Sequence, residues 1–380
     1  MNQKNLNDIF EHYIEKFEYI NGPEHGEIYK WQIANQFRSV MEDALDSSDE
    51  EFPNKLYVAK KLSANIVDSY LQPFYGLVKF AEKEPDTVRE MFLELFRDDG
   101  GDLSNRQQRI LHFLNSSHSL RDKYYKESYL YTDDYHSVTS YLALYDPDNN
   151  YILKQTQSRK FAECVEFYED WGTGENVDLA VYYKMCDELV EFIKKDAALM
   201  KTDSSRFDSK LGFGDLYPDE AKHILAFDII YCSTVYDLYS GISIVKRSAK
   251  ERSLYEKRKK KAKELKVQLD EVYAQKQRLD EACKAIETAF SIGTEVEHFK
   301  QGTGTISEAG EGYVCFLKDG ADKPIKLGIP LSYVKGILRL KDRTIPEAEE
   351  NMELLLIQDK MPGRVSYAEG QFAPYADDLE

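Results

Sequence analysis

The sequence has few cysteines, and no two of them form a recognisable pair. Five are scattered along 380 residues without any C-x-x-C spacing: Cys164, Cys186, Cys232, Cys283 and Cys315. Each has apolar neighbours, which is typical of reduced, buried thiols in a cytosolic protein. The first ten residues also lack the basic and then apolar segments of a signal peptide. We therefore expect a cytoplasmic protein.

Motifs of the common catalytic classes are also missing. There is no Gly-Lys dipeptide and hence no P-loop, no G-x-S-x-G segment, and neither H-E-x-x-H nor paired Cys and His spacings. We predict no catalytic residues, no metal and no cofactor, and we lean towards a protein that is not an enzyme. An enzyme with an unrecognised site in the Tyr-rich helical region stays open. Its mark would be a deep pocket with several convergent acids or histidines.

Two apparent motifs have simpler explanations. The string from Pro218 to Lys222 resembles the Asp…Glu-x-Lys metal core of many restriction nucleases. Its two acids are adjacent, however, and acids favour the first turn of a helix. His223 and Asp228 are five residues apart, a spacing that misaligns them on a helix. We therefore interpret the string as a helix start and His223 as an ordinary histidine.

No apolar run is long enough to cross a membrane. The most apolar segment, from Ile224 to Tyr239, is interrupted by Asp228 and Asp237 and is shorter than the roughly 20 residues that a spanning helix needs. We predict a buried core helix here and no membrane partner.

An excess of basic over acidic residues is concentrated in one segment. Lys246 to Lys266 holds eleven Lys and Arg against three Glu, a net charge of +8, whereas the whole chain carries -18. One interpretation is the solvated flank of a coiled coil. The other is a helix that contacts nucleic-acid phosphates through its Lys and Arg side chains. The candidate nucleic-acid-binding residues are Lys257, Arg258, Lys259, Lys260, Lys261 and Lys263.

A heptad pattern follows the basic segment. From Leu265 to Phe290, apolar residues recur at alternating spacings of four and three, and Lys276 is the single polar break. This period favours a helix that pairs with another helix, in the same chain or in a second copy. We predict a homodimer through residues 265–290. One long helix lying on the N-terminal domain is the alternative.

The patterns together predict a mainly α protein: a helical N-terminal domain with a small β-hairpin at 141–154, a long heptad helix and a small SH3-like β-barrel. The hairpin is predicted from the Asp146-Pro147 turn between two apolar runs. The barrel is predicted from short alternating segments separated by glycines. The predicted domains are a helical recognition domain (1–245), a basic helix and coiled coil (246–290), the barrel (291–340) and an acidic tail (341–380) with one short helix from Pro346 to Ile357.

Two stretches look familiar. The first is carried by Ile28-Tyr29-Lys30-Trp31 with Phe37, by residues 80–92 with Leu95-Phe96, and by the D-P-D-N-N-Y turn in 141–154. With these residues, the region 27–239 resembles the N-terminal helical region that precedes the motor in McrB-like AAA+ restriction and defence proteins. The resemblance implies target recognition or assembly. Because the motor is missing from this sequence, no nucleotide hydrolysis is implied.

The second stretch carries Gly293-Thr294-x-Val296-x-His298-x-x-x-Gly302-x-Gly304-Thr305-Ile306, followed by Val314-x-Phe316. It is similar to the SH3/Tudor-like module that closes UvrD-type helicases and is related to CarD-like modules, which bind a protein partner, often RNA polymerase, or nucleic acid. The sequence departs from that pattern at Gln301, where an aromatic is usual. The candidate partner-binding residues are His298, Gly302, Gly304, Tyr313 and Phe316.

We therefore expect a non-enzymatic recognition or adaptor protein of a prokaryotic defence or DNA-transaction system. Residues 246–266 would bind nucleic acid, and the barrel would bind a protein partner such as a motor subunit or a polymerase. The alternative from another class is a purely structural protein–protein interaction scaffold, in which the basic helix is only solvated.

Overall fold

The structure is a computed structural model that describes residues 1–22, 25–67, 69–208 and 212–379. The chain divides into two compact units, Met1–Ser248 and Ala249–Glu380. The protein is mainly helical, with one small curled antiparallel sheet of five strands near the C-terminus. The predicted mainly α class is therefore confirmed.

The first unit is entirely helical in the part that the structure describes. A short 3-10 helix lies at Gly174–Asn176, and the α-helices are α1 (Gln3–Glu15), α2 (Phe17–Asn21), α3 (Tyr29–Leu45), α4 (Phe52–Val67), α5 (Pro73–Ala81), α6 (Pro85–Leu95), α7 (Leu103–Tyr124), α8 (Tyr135–Tyr145), α9 (Gln155–Cys164), α10 (Leu179–Lys195), α11 (Ala197–Ser205) and α12 (His223–Val235).

Aspartates define several of these helix starts. The side chain of Asp102 accepts hydrogen bonds from the backbone N–H groups of Ser104 and Asn105, and Asp178 and Asp196 cap α10 and α11 in the same way. Such caps satisfy backbone donors that the first helical turn leaves unpaired, and each contributes about 1 kcal/mol.

An aromatic cluster forms the centre of the first unit. The ring of Tyr141 on α8 lies 4.9 Å from that of Phe74 and 5.7 Å from that of Phe92, and Phe92 lies 5.2 Å from Phe113. All four side chains are buried. Edge-to-face and tilted contacts of this kind stabilise a core beyond the area they bury.

The β-hairpin predicted at 141–154 is wrong. Residues 141–145 belong to α8, which begins at a capping box formed by Asp134 and Ser137. The turn at Asp146 exists, but it ends a helix instead of joining two strands. Nearly every side chain of α8 is buried, so the helix has no polar face. A short apolar run of that kind has no period that separates a buried helix from a strand.

The second unit combines one long helix, the sheet and several short helices. Two short 3-10 helices lie at Gln358–Lys360 and Ala373–Asp378, and the other elements are α13 (Ala249–Ala289), β1 (Glu295–His298), β2 (Gly302–Gly310), β3 (Tyr313–Lys318), β4 (Ile325–Gly328), α14 (Leu331–Val334), β5 (Leu338–Leu340), α15 (Pro346–Glu350), α16 (Met352–Leu356) and α17 (Met361–Phe372). The basic segment and the heptad segment are thus one continuous helix of 41 residues.

The sheet has the strand order β4-β3-β2-β1-β5, and every neighbouring pair is antiparallel. In register, Val296 on β1 faces Gly304 on β2 and Leu340 on β5. A bulge between Ile306 and Glu308 bends β2, which increases the local twist. The alternating segments at 294–298, 304–306, 313–316 and 325–327 predict four strands, and β1 to β4 confirm them. The fifth strand, β5, was not predicted.

The heptad face of α13 is covered within the second unit. Leu279, Ile286 and Phe290 share a core with strand residues such as Val296 and Phe316. Helices α15, α16 and α17 pack along α13, and Leu355 and Met361 join the same core. The predicted helix from Pro346 to Ile357 is present as α15 and α16, and the segment beyond it is also helical.

Among the helices of the described residues, none combines the length and the apolar character that crossing a bilayer requires.

Candidate functional site

Five of the six predicted nucleic-acid-binding residues are exposed, and four of these five lie on one side of α13. Lys257, Lys260, Lys261 and Lys263 are exposed, whereas Ala262, Leu265 and Leu269 on the same helix are buried. Successive residues turn by about 100° around a helix axis, which places Lys260 nearly opposite Ala262. We call these four side chains the lysine face.

Arg258 points to a different side of α13. Its Nε lies 3.1 Å from both carboxylate oxygens of Asp378, and its Nη2 donates to the backbone oxygen of Pro374 at 3.0 Å. The guanidinium also lies 5.2 Å from the ring centre of Tyr375. The acidic C-terminal segment therefore occupies one of the six predicted positions, and this contact raises the pKa of Arg258 above its usual value.

The remaining basic residues interact locally. Lys259 is half-buried and contacts Tyr255, with 3.4 Å between Nζ and the phenol oxygen. Lys261 lies 3.9 Å from Glu264, and both side chains are about half exposed. A surface pair of that geometry contributes little and is screened by salt, so Lys261 keeps most of its charge available to an external anion.

His298 holds the turn between β1 and β2. Its Nδ1 accepts hydrogen bonds from the backbone N–H groups of Lys300 at 3.1 Å and Gln301 at 3.3 Å. Nδ1 is therefore the unprotonated nitrogen of the neutral ring. The ring is mostly buried and stacks between Phe299 and Phe316. This geometry assigns His298 a role in shaping the turn.

Gly302 and Gly304 serve the same turn. Gly302 has a φ of +78°, in the left-handed region that favours glycine. At Gly304 an added Cβ would lie 2.2 Å from the backbone oxygen of Leu317 and 2.6 Å from the Phe316 ring. Only glycine allows β2 to approach β3 so closely.

The two predicted aromatic partner residues differ in exposure. Phe316 is fully buried in the core of the second unit. Tyr313 is half-exposed, donates a 2.8 Å hydrogen bond to Glu308 and carries the Nζ of Lys326 3.4 Å from its ring centre. Of the five predicted partner-binding residues, Tyr313 thus has the most accessible side chain. Phe299, which is 61% exposed, was missed by the sequence analysis.

The first unit contains a buried ionic network that the sequence analysis also missed. The hydroxyl of Tyr13 donates to Oδ2 of Asp228 at 2.5 Å, and the ammonium of Lys30 bonds the other carboxylate oxygen. Lys30 also lies 2.8 Å from Glu27. We call Tyr13, Lys30, Asp228 and their partners the buried network.

The buried network continues through Arg206. Its guanidinium donates to the Tyr13 hydroxyl at 3.0 Å and to Asp203 at 3.2 Å, and it lies 3.7 Å from the ring centre of Trp31. Lys222 donates to the second oxygen of Asp203 at 2.9 Å. Three cations thus meet three carboxylates in the interior. Lys30 is paired with Glu27 and Asp228, and Asp203 is shared by Arg206 and Lys222. Buried charges persist when they are paired in this way.

Titration directions agree with a structural role for this network. Burial raises the pKa of the Tyr13 phenol well above its ordinary value, and Asp228 beside it raises the pKa further. Burial alone would lower the pKa of Lys30, but the adjacent Asp228 holds that pKa well above its usual range. Tyr13 therefore stays a donor and Lys30 stays charged at neutral pH. The sequence did contain one indication of a buried charge, because Asp228 lies inside an apolar helix, where charged residues are rare unless they are paired.

The nuclease-like string lies immediately before a helix, because α12 begins at His223. Both oxygens of Asp219 accept backbone hydrogen bonds, from Ile224 at 3.1 Å and Leu225 at 2.9 Å, in the first turn of α12. The predicted helix start is thus present, but the two acids precede the first turn, which itself holds no acid. Lys222 belongs to the buried network, and the His223 ring packs 4.0 Å from the Tyr151 ring.

The cysteines are free thiols, four of them buried and Cys283 half-buried. Burial raises the pKa of Cys164 to about 12, so its nucleophilic thiolate form is scarce at neutral pH. Across the described ranges of the chain, no three His, Cys, Asp or Glu side chains converge in a way that could hold a metal ion.

Comparisons with known proteins add no relatives: no protein-family model, curated protein or solved structure matches this chain.

Proposed function

We propose that this chain is a non-enzymatic recognition or adaptor protein that binds nucleic acid through the lysine face of α13. The observation that supports the proposal is the exposure of Lys257, Lys260, Lys261 and Lys263 on one helix of an otherwise acidic chain. Ion pairs between Lys side chains and phosphates are electrostatic and carry no base-sequence information, so we expect this binding to be independent of base sequence.

The setting that we propose is a cytoplasmic prokaryotic defence or DNA-transaction system. It rests on the resemblance of residues 27–239 to the N-terminal region of McrB-like proteins. The five-stranded sheet is in this proposal an SH3-like barrel that docks a protein partner, such as a motor subunit or a polymerase. Exposed Phe299 and half-exposed Tyr313 are its contact residues.

A salt titration tests the nucleic-acid part. The full chain is titrated with a fluorescent duplex and with a single strand, at several salt concentrations between 50 and 200 mM. Four phosphate contacts predict a slope of about -3.6 in a plot of log K against log salt for a duplex and about -2.8 for a single strand. Absence of binding at the lowest salt removes the proposal.

Matched variants separate the lysine face from the general charge of the chain. The test variant carries Lys257→Gln, Lys260→Gln, Lys261→Gln and Lys263→Gln. The control variant carries the same four charge losses in the first unit, at Lys83, Lys194, Lys195 and Lys201, all of them exposed. We expect only the test variant to lose affinity and salt dependence. Equal losses in both variants would contradict a dedicated face.

The heptad face of α13 is covered by the sheet and by α15, α16 and α17, so the homodimer that we also propose through residues 265–290 uses the exposed side of this helix. Light scattering after size exclusion should then give about twice the chain mass of 44.1 kDa. Val267 lies in this segment and is 69% exposed, so Val267→Glu should shift the mass towards the monomer. A monomeric mass for the unmodified chain at high micromolar concentration removes the dimer and leaves the lysine face unaffected.

A further inference from the structure

A cavity of about 370 Å³ lies in the first unit, beside the loop that joins α6 to α7. Four arginines line it: Arg38 from α3, Arg97 from the loop, and Arg106 and Arg109 from α7. We call it the arginine pocket. Cavities of this size accommodate small organic ligands.

The wall of the arginine pocket holds more buried positive than negative charge. Arg106 and Arg109 are 6% and 7% exposed, and they share the carboxylate of Asp99. Arg106 donates to Asp99 through both Nε at 2.8 Å and Nη2 at 2.6 Å. Two buried guanidiniums against one buried carboxylate leave one positive charge uncompensated at this point. A buried charge without a partner is costly, and an anion in the cavity would relieve that cost.

Arg109 has one side-chain donor that is not used. Its terminal nitrogens bond the backbone oxygen of Arg97 and the carboxylate of Asp99, but among the described residues its buried Nε has no hydrogen-bond partner. Burial lowers the pKa of Arg109; Asp99 and Glu94 oppose this effect, whereas Arg106 and Arg97 add to it. A buried donor without an acceptor carries a desolvation cost.

Two further arginines supply donors that a ligand could reach. Arg97 is exposed and uses its backbone oxygen, not its guanidinium, to bind Arg109. Arg38 lies 5.0 Å from the ring centre of Tyr145, and Tyr145 stacks on Phe96 with 3.9 Å between ring centres. This stack restrains the Arg38 side chain. The Nε of Arg38 donates to Glu42, so a ligand would be bound by the terminal nitrogens of Arg38.

Two acidic residues that line the arginine pocket accept hydrogen bonds from loop residues. Asp98 accepts a hydrogen bond from the backbone N–H of Gly100 at 2.9 Å. Both carboxylate oxygens of Asp146 accept from the side-chain amide of Asn149, at 3.1 and 3.0 Å. These hydrogen bonds fix the shape of the loops around the cavity. The two negative charges also weaken the attraction of the arginines for an anion.

From this arrangement we propose that the arginine pocket binds a phosphate monoester. Planar guanidinium groups match the oxygens of a phosphate in paired hydrogen bonds, and several of them around one cavity favour a dianion over a single carboxylate. The phosphate is carried either by a free nucleotide or by the 5′ end of a nucleic acid. This site is separate from the lysine face in sequence and in chemistry, and it does not depend on the proposed function.

Calorimetric titrations of the full chain test the proposal. The probes are inorganic phosphate, adenosine monophosphate, and one oligonucleotide with and without a 5′-phosphate. We expect saturable binding of adenosine monophosphate and a higher affinity for the 5′-phosphorylated strand than for the 5′-hydroxyl strand. The tighter binder, adenosine monophosphate or the 5′-phosphorylated strand, shows whether the phosphate is carried by a free nucleotide or by the end of a nucleic acid. If inorganic phosphate and adenosine monophosphate do not bind and the two strands bind equally, the proposal is overturned, and the cluster of Arg106, Arg109 and Asp99 only fastens α7 to its loop.

Opposing variants make the result specific. Arg97→Gln removes an exposed donor without touching the buried ion pairs, and we expect a loss of about five- to tenfold in phosphate affinity. Asp98→Asn removes a like charge but keeps an oxygen for Gly100, and we expect affinity to rise by about threefold. Arg121→Gln, an arginine of α7 outside the pocket, is the control and should change nothing. Equal effects of Arg97→Gln and Arg121→Gln would overturn the proposal.

Discussion

The guanidinium of Arg258 is paired with the carboxylate of Asp378, 120 residues further along the chain. A carboxylate offers an arginine the same paired oxygens as a phosphate. The acidic C-terminal segment and nucleic acid would therefore compete for this one residue of the basic segment.

Releasing that pair should strengthen nucleic-acid binding. Asp378→Asn makes Arg258 available as one further phosphate contact, so we expect affinity at low salt to rise several-fold. The salt dependence should steepen by about 0.7 to 0.9 in its log–log slope. Asp359→Asn removes an exposed acid of the same unit and is the control. If both variants gain the same affinity for nucleic acid, the gain comes from the change in net charge and not from release of the pair between Arg258 and Asp378.

Breaking the buried network should destabilise the first unit. Asp228→Asn leaves the ammonium of buried Lys30 without its main counter-ion, at an expected cost of about 3–5 kcal/mol in the free energy of unfolding. Urea unfolding followed by tryptophan fluorescence measures this cost, because Arg206 of the network contacts the ring of Trp31. Asp43→Asn breaks an exposed pair with Lys55 and should cost less than about 1 kcal/mol.

A double variant distinguishes lost charge balance from lost volume. Lys30→Met with Asp228→Leu removes both charges together and should recover a large part of the stability that Asp228→Asn loses. A double variant as unstable as the sum of its single variants would indicate that the two residues do not act as a pair.

The buried carboxyl of Asp219 should make stability depend on pH. Burial raises the pKa of Asp219 from 3.8 to about 7 in the folded protein. Between these values the folded chain holds a proton that the unfolded chain has lost. The contribution of this group is therefore greatest below about pH 4 and declines as the pH rises to 7, by about 4 kcal/mol in all.

Asp219→Asn should remove this decline. Asparagine keeps one oxygen for the amides of α12 and tolerates the positive φ of 48° at this position. We expect the stability of the variant, measured by urea unfolding from pH 4.5 to 7.5, to fall less with pH than that of the unmodified chain. Parallel curves for the two proteins would show that Asp219 does not titrate in this range.

The close approach of β2 to β3 should make the sheet intolerant of a methyl group at Gly304. Gly304→Ala places a Cβ against the Leu317 oxygen and the Phe316 ring, and one of these must move. We expect faster hydrogen exchange of backbone amides in β1, β2 and β3, measured by mass spectrometry. Gly328→Ala on β4 is the control, because its Cβ would meet only the Gly312 oxygen at 3.9 Å. Similar exchange in both variants would contradict the steric argument.

Local patterns in the sequence were sufficient for much of this fold. A long apolar run located α12, heptad spacing located α13, and two-residue alternation located four strands, because these signals arise within a few residues. Residues 141–145 were assigned wrongly because a helix buried on all sides has no amphipathic period. Strand β5 was missed because its three residues acquire their identity from pairing with β1.

Of the candidate sites, one could be predicted from local sequence and two could not. The lysine face follows from a dense local run of charge, and helix geometry then separates Arg258 from its neighbours. The buried network and the arginine pocket could not be predicted, because each assembles residues that are distant in sequence, such as Tyr13 with Asp228 or Arg38 with Arg109. Only the isolated Asp228 in an apolar helix gave any indication of the first.

The unbroken course of α13 sets a fixed separation along the second unit. From Lys260 to Ala289 the helix advances by about 44 Å at 1.5 Å per residue. In the proposed function, a partner on the sheet and a nucleic acid on the lysines would be separated by this length of helix. It corresponds to about 13 base pairs of duplex at 3.4 Å each, so the proposal predicts an offset of about that size between the bound lysines and the docked protein.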